Sequence, residues 1–156
     1  MKLNDIVARV NTLLAGERHS YRDLVIHLDA AIDDINAQLN ATFPAFSELP
    51  VGTDTYDFFP DRYIRTAVAT GAAWYYFVTD EEGEMVSQQY TFNYERNLFV
   101  MVRDYLALVP MAYRADLAFD DLTGEYYYTP DVSLRLNDDM EKDRRGVVID
   151  ATYIIP

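Results

Sequence analysis

The stretch from about Glu84 to Val109 constrains the fold most, because its pattern predicts a long helix with too much apolar surface for one neighbour. At about 100° per residue, its apolar side chains fall into two stripes. One stripe comprises Tyr94, Leu98, Met101, Tyr105 and Leu108; the other comprises Met85, Phe92, Phe99 and Leu106; the polar remainder holds Gln89, Asn93, Arg96, Arg103 and Asp104. Together the stripes cover roughly half of the helix circumference, which is more than a surface helix needs. Pro110 ends the helix because it has no backbone donor.

The second stripe therefore needs a partner of its own, and the sequence leaves two interpretations open. In the first, the helix is buried between two layers of its own small domain. In the second, the stripe of Met85, Phe92, Phe99 and Leu106 faces another copy of the protein. An exposed aromatic row of this length would be an aggregation liability in a monomer, which favours a second copy.

Three further helices precede this one. A short helix covers the apolar positions between Leu3 and Leu14 and ends at Ala15-Gly16, where Gly supplies the left-handed turn. Ser20, three residues before Asp23, predicts a capping box at the start of a longer second helix that ends at Phe43-Pro44.

The third helix, Asp61 to Phe77, follows Pro60 and pairs with the fourth as a long helical hairpin across the turn Thr79 to Gly83. Its Ala67 and Gly71 allow close approach of another helix, either the second or the fourth.

The periodicity changes after Pro110. Residues Met111 to Leu122 are expected to form a loop or a short helix. Alternation from Gly124 onward predicts strands at Tyr126–Thr129, Val132–Leu136 and Val147–Ile155, with a turn at Pro130-Asp131, and a tight hairpin is expected around Val51-Gly52-Thr53-Asp54. The expected fold is mainly α: a four-helix bundle in residues 1–110, and a C-terminal extension, 111–156, with a small antiparallel β region. Because three strands cannot bury both faces alone, they are expected to lie on the helices or on a neighbouring subunit.

Charge excludes some classes of function. The chain has 26 acidic and 13 basic side chains, a net charge of −13, which opposes tight nucleic-acid binding because that needs clustered Lys and Arg. The 14% aromatic content, with 13 tyrosines, predicts a folded chain with large contact surfaces. The chain contains no cysteine, so disulfides are impossible and a reducing cytoplasm is suitable. The sequence shows no signal peptide and no apolar run near the roughly 20 residues that a membrane span needs.

Catalytic and metal-binding patterns are sparse. The only histidines are His19 and His27, and a metal site there would need carboxylates from elsewhere in the chain. The acidic turn Glu81-Glu82-Gly83-Glu84 lacks the alternating ligands of a calcium loop. The sequence also lacks a phosphate-binding Gly-rich loop, a nucleophile elbow and a dinucleotide fingerprint. We therefore expect no catalytic residues, no metal and no cofactor, although 26 acids leave a carboxylate pair possible.

The order of short segments resembles that of the head-to-tail adaptor (connector) proteins of tailed bacteriophages. The segments are the helix end Ala15-Gly16, Ser20-Tyr21-Arg22-Asp23-Leu24, Phe43-Pro44, the run Gly52 to Asp61, the acidic turn Asp80-Glu81-Glu82-Gly83 and the terminal Tyr153-Ile154-Ile155-Pro156. The resemblance covers nearly the whole chain, in the same order.

The resemblance implies a structural virion protein. Adaptors of this kind form a ring, usually dodecameric, under the portal protein of the capsid, and present a platform to a tail or nozzle protein. They act in the neck of the virion after synthesis in the host bacterial cytoplasm. The acidic balance would then suit a channel that DNA passes without specific binding, and no membrane partner is expected.

Two sets of contact residues follow. Subunit contact is predicted at Met85, Phe92, Phe99 and Leu106, and contact between the tail and a partner or neighbour at Tyr126, Tyr127, Tyr128, Leu134, Leu136, Val147, Ile149 and Tyr153. The alternatives are a small hydrolase that uses a carboxylate pair in a cleft among the tyrosines, and an acidic regulatory protein that mimics DNA. A concave pocket with two close carboxylates would favour the first, and competition for a basic DNA-binding protein would favour the second.

Overall fold

The computed structural model describes residues 1–14, 16, 18–80, 88–129, 151–152 and 154–155. The chain divides into two compact units, Met1–Arg114 and Ala115–Pro156. The described part is mainly helical, with four helices and a small two-stranded antiparallel sheet. This confirms the predicted class at that level.

The four helices lie in the first unit. They are α1 (Leu3–Leu14), α2 (Tyr21–Leu39), α3 (Asp61–Tyr63 followed without a break by a π-helical turn, Ile64–Val68, and by Ala69–Asp80) and α4 (Gln88–Tyr105). Three short 3₁₀ turns are Phe46–Glu48, Leu106–Leu108 and Met111–Tyr113. The π-helical turn inserts extra backbone into α3, a feature of single turns inside α-helices.

The predicted cap of α2 is present. The Asp23 backbone N–H donates to Ser20 Oγ at 3.3 Å, and the Ser20 backbone N–H donates to Asp23 Oδ2 at 3.2 Å. The helix ends at Asn40, whose φ of 51° is left-handed, a few residues before the predicted stop. The Asn36 side chain brackets the Phe43 backbone, donating to its carbonyl and accepting from its N–H, both at 2.9 Å. The chain therefore turns away before Pro44 is reached.

The core of the first unit is built around α2, which buries Leu24, Leu28, Ile32 and Ile35 completely. The segment after α2 closes one end of this core with stacked aromatic rings. Phe46 and Tyr56 stack with ring centroids 4.3 Å apart. The Tyr56 hydroxyl donates to the Pro44 carbonyl at 2.7 Å, so its polar tip is satisfied inside the core. Burial raises the pKa of Tyr56.

The predicted hairpin around Val51-Gly52-Thr53-Asp54 is wrong. Val51 and Gly52 form a turn, with Gly52 at φ 90°, but the following residues pair with the N-terminal segment instead. Thr55 bridges Lys2 in antiparallel fashion, and the Tyr56 N–H donates to the Met1 carbonyl at 2.8 Å. The backbone groups that a hairpin would pair thus find partners far away in sequence.

Gly71 allows α3 to contact two helices at once. A Cβ at this position would lie 2.9 Å from the Ala31 Cβ on α2 and 2.8 Å from Tyr94 Cε1 on α4. The close approach predicted from the spacing of small residues is therefore present. The neighbour is not one helix or the other, because α2 and α4 both press on this glycine.

The fourth helix ends earlier than predicted. Its α-helical part stops at Tyr105, and Leu106–Leu108 form a 3₁₀ turn. Pro110 cannot donate a hydrogen bond to the Leu106 carbonyl and disfavours the α conformation of Val109, so the α-helix gives way to a 3₁₀ turn and an extended Val109. Leu108 consequently turns outward and is 61% exposed, whereas Val109 is buried. Leu108 therefore does not share a face with Tyr94, Met101 and Tyr105, contrary to the periodicity.

The first unit extends past Pro110 because its last residues pair with the end of α2. The Thr42 N–H donates to the Tyr113 carbonyl at 2.7 Å, and Ala41 forms an antiparallel bridge with Arg114. Residues 111–114 therefore belong to the helical unit, although the sequence boundary was placed at 110.

The second unit contains a hairpin of β1 (Leu117–Asp120) and β2 (Glu125–Tyr128), with Ala118 opposite Tyr127. The predicted strand at Tyr126–Thr129 is confirmed with a shift of one residue. The expectation of a loop or helix over 111–122 is wrong at β1. Four residues of local pattern do not specify a strand, and it is the hydrogen bonding to β2 that stabilises the extended conformation there. Gly124, at φ 74°, closes the turn.

The predicted turn at Pro130-Asp131 and the predicted strand Val132–Leu136 lie outside the described residues, as does most of the predicted strand Val147–Ile155. Within the last range, Ala151–Thr152 and Ile154–Ile155 are two short extended segments.

Candidate assembly surface

The second apolar stripe of α4 is exposed. Phe92 is 59% exposed, Phe99 66% and Leu106 52%, while Met85 lies outside the described residues. The opposite stripe is buried through Tyr94, Met101 and Tyr105. The helices of the first unit therefore cover only one of the two stripes, and the other is left facing outward.

Two arginines alternate with these apolar residues. Phe92, Arg96, Phe99, Arg103 and Leu106 follow one another at spacings of four, three, four and three, so they form one continuous ridge, here called the outer stripe. The Arg103 Nε lies 2.8 Å from Asp104 Oδ1, and this pairing lowers the pKa of Asp104. Aromatic residues and arginine are the side chains that protein interfaces favour.

A shallow groove adjoins the middle of the outer stripe. It has a volume of about 300 Å³ and is lined by Gln38, Glu95, Leu98, Phe99 and Val102. The C-terminal part of α2 supplies one wall, and α4 supplies the other. Phe99 thus stands beside a concave surface at one end of α2.

The orientation of α4 is fixed by polar contacts on its inner side. One oxygen of Asp34 on α2 accepts hydrogen bonds from the hydroxyls of Tyr75 on α3, at 2.6 Å, and of Tyr94 on α4. The Trp74 indole N–H donates to Thr91 Oγ1 at 3.0 Å. Three helices are therefore pinned at one point, and rotation of α4 that would bury the outer stripe would break these bonds.

The hydrogen bonds to Asp34 also affect the two tyrosines. Burial, followed by the bond to Asp34, raises the pKa of Tyr75 to about 12. The same two causes raise the pKa of Tyr94. Both hydroxyls therefore remain protonated donors at neutral pH, which keeps the contact intact.

A second groove lies between the N-terminal half of α2 and the C-terminal half of α3. It has a volume of about 350 Å³ and is lined by Asp23, Ile26, His27, Ala30, Tyr75 and Thr79. At its edge, Ile26 is 68% exposed, an exposed aliphatic residue among acids. The apolar pattern of α2 does not predict this position, because Ile26 lies outside its apolar stripe. Its displacement from that pattern was the available signal.

Of the predicted contact residues in the tail that the structure describes, one packs within the hairpin and two are exposed. Tyr126 packs on Phe119 with ring centroids 5.1 Å apart, so it stabilises the hairpin. Tyr127 and Tyr128 are 53% and 65% exposed. The other predicted contact residues, Leu134, Leu136, Val147, Ile149 and Tyr153, lie outside the described residues.

The histidines do not assemble a metal site in the described part of the chain. His27 is only 4% exposed, and its ring packs edge-on against Tyr76 at 5.7 Å. Among the residues that the structure describes, no group of three or more His, Cys, Asp or Glu is placed to hold a metal ion. Over the same residues, no helix has the length and apolar character of a membrane span.

Comparison of the chain with protein-family models, with curated proteins and with solved structures finds no match.

Proposed function

We propose that this chain is a structural protein of the virion, a head-to-tail adaptor that forms a ring under the capsid portal and joins it to the tail. The observation that carries the proposal is the outer stripe, whose Phe92, Phe99 and Leu106 are all more than half exposed. The order of sequence segments that resembles connector proteins supplies the context in which self-association has a role.

Burying the outer stripe against another copy would contribute apolar energy that offsets the freedom lost on association. An aromatic side chain buries about 150–250 Å² on full burial, and each Å² contributes about 25 cal/mol. Since Phe99 is still 66% exposed, covering it contributes on the order of 3 kcal/mol. Phe92 lies seven residues away on the same ridge and adds a similar amount. A few such anchors dominate the energy of a typical interface.

The wider architecture follows the same proposal. The four helices act as a four-helix bundle that includes the α3–α4 hairpin and packs side by side with its neighbours in a ring, usually dodecameric in connectors. The C-terminal extension, with exposed Tyr127 and Tyr128, contacts the portal or a neighbouring subunit, and a tail or nozzle protein binds the opposite side.

The net charge of −13 supports a channel that DNA passes without specific binding. The role needs no catalysis, cofactor or membrane, and it places the protein in the virion neck after synthesis in the bacterial cytoplasm.

Substitution of Phe99 by Asp tests the proposal. We expect wild-type protein to form a ring, alone or with the portal, and F99D to stay monomeric in both conditions, because the substitution places a charge where apolar contact is needed. Light scattering after size-exclusion chromatography gives the mass, and circular dichroism gives the helix content and melting curve.

The matched control is Asn93→Asp, which adds the same side chain at an exposed polar position of the same helix. We expect N93D to assemble as wild type does. If F99D were unfolded, the stripe would belong to the core of its own chain. If F99D assembled normally, the outer stripe would not be the contact, and either result would overturn the proposal.

A further inference from the structure

We propose that the outer stripe of one copy binds the groove between α2 and α3 of the next copy, in a head-to-tail contact that repeats around the ring. The inference rests on the proposed function, since it names the second surface of the same assembly. It assigns a role to the groove of Asp23, Ile26, Ala30, Tyr75 and Thr79, which the function proposed above leaves unused.

A closed ring needs two different surfaces on each copy. A contact between identical patches closes as a two-fold dimer, whereas a contact between two different patches continues from copy to copy. The groove beside Phe99 includes Gln38, and the second groove includes Ile26. These α2 residues are twelve positions apart, about 18 Å along the helix. The two surfaces are thus separate, as a repeating contact requires.

Charge makes the two surfaces complementary. The outer stripe presents Arg96 and Arg103 between its apolar residues, and Arg103 is 60% exposed. Helix α2 carries Asp34, which is held inside by Tyr75 and Tyr94, three further aspartates, and only one arginine, Arg22. Complementary charge of this kind orients partners and opposes wrong pairings, while apolar contact supplies most of the energy.

The spacing of the charges matches as well. If Phe99 contacts Ile26, then Arg96 stands three residues before the contact. Asp23 and Asp29 stand three residues on either side of Ile26, and residues three apart share a helix face. Within their own chain, one oxygen of Asp23 accepts from Ser20 and one oxygen of Asp29 accepts from the Ser47 N–H, which leaves the other oxygen of each carboxylate for an arginine. An aspartate therefore lies on the side of Arg96 whether the two helices run in the same or in opposite directions.

The groove has room for the aromatic side chain. A benzene-sized molecule fits in a cavity of about 150 Å³, and the groove measures about 350 Å³. Its lining combines the apolar Ile26 and Ala30 with the rings of Tyr75 and His27, against which a Phe ring can pack. Thr79 and Asp23 complete the lining with polar groups.

Reciprocal charge reversal tests the contact. One variant carries Arg96→Glu and Arg103→Glu, and the other carries Asp29→Lys and Asp33→Lys. Asp23 is kept because its carboxylate caps α2, and Asp33 is the next exposed aspartate along the helix. We expect each variant alone to lose ring formation, because like charges then face each other. An equimolar mixture should recover a ring of wild-type mass, since every contact in an alternating ring again joins opposite charges. The readout is mass by light scattering, with circular dichroism as a check on folding.

A cross-linking experiment keeps the apolar contact intact. The chain has no cysteine, so Glu95→Cys beside Phe99 and Ala30→Cys beside Ile26 can be joined selectively with a short bis-maleimide. We expect cross-linked dimers only when the two variants are mixed. Val51→Cys, at a fully exposed aliphatic position, replaces A30C as the control and should give none.

The outcomes separate this inference from the proposed function. Restored assembly in the charge-reversed mixture, together with a cross-link that depends on A30C, supports the contact. Cross-linking of E95C to itself would show that identical patches pair and would overturn the inference. Rings of normal mass without the mixed cross-link would overturn it while leaving the adaptor proposal standing. Wild-type chains that never assemble would remove both.

Discussion

Substitution of Gly71 by Ala measures how closely the three helices pack. Two opposing effects are expected. Ala is favoured over Gly inside a helix by about 1 kcal/mol. Against this, the added Cβ meets the Ala31 Cβ at 2.9 Å and Tyr94 Cε1 at 2.8 Å. Both distances are shorter than carbon atoms tolerate, and the Ala31 Cβ cannot move without its backbone.

Overpacking a core usually costs about 1–3 kcal/mol, and a contact with two helices at once places this site toward the upper end. The net effect of G71A is therefore a loss of about 1–2 kcal/mol in the free energy of unfolding. In a chain of 156 residues, each kcal/mol corresponds to roughly 3 °C. We expect the melting temperature to fall by about 3–6 °C.

The assay is thermal and urea denaturation followed by circular dichroism at several protein concentrations, so that assembly does not contribute unnoticed. The matched control is Gly16→Ala, where the nearest atom of the described residues to the new Cβ is the Leu14 carbonyl oxygen at 3.8 Å. The left-handed turn expected at Gly16 is wrong, because its φ does not lie in the left-handed region. G16A should therefore be neutral or slightly stabilising. A G71A variant as stable as G16A would refute the packing of α3 against both α2 and α4.

Three further predictions concern the polar contacts of the helical unit. Ser20→Ala removes the cap of α2 and should cost about 1 kcal/mol in urea denaturation, whereas an unchanged midpoint would contradict the observed capping box. Tyr94→Phe removes one of two donors to Asp34 and should cost about 1.5–3 kcal/mol by the same assay, and equal stability would show that the contact does not orient α4. The pKa of Tyr75 is about 12 when folded and about 10 when unfolded, so the stability from this group is complete below pH 10 and lost as the pH rises to 12. Between pH 10 and 12 the free energy of unfolding should therefore fall less steeply with pH for Tyr75→Phe than for the wild type. Identical slopes in urea denaturation would contradict the raised pKa.

Local chemistry made part of the fold predictable from the sequence. A Ser three residues before an Asp is typical of a helix N-cap, so Ser20 and Asp23 indicated a helix start. A glycine inside a helix is unfavourable unless another element packs closely on it, so Gly71 indicated a helix crossing. The sequence predicts the end of α4 too late because the apolar periodicity continues to Leu108. In the structure the α-helix already changes to a 3₁₀ turn at Leu106, before Pro110. Strand β1 was missed because its partner strand decides its conformation.

Of the two candidate surfaces, the outer stripe was predictable from the sequence and the groove on α2 was not. The excess apolar circumference of α4 indicated an outer stripe, and the structure leaves Phe92, Phe99 and Leu106 exposed. The groove on α2 was not predictable, because it forms only where α3 crosses α2 at Tyr75 and Thr79. Ile26 alone, without that crossing, is an ordinary exposed aliphatic residue.

The most direct test of the adaptor proposal is the mass of the purified protein measured by light scattering, alone and mixed with portal protein from the same source. The proposal predicts a closed multimer of this chain, or a complex in which many copies bind each portal ring. A protein that stays monomeric at all concentrations and does not bind the portal would contradict it.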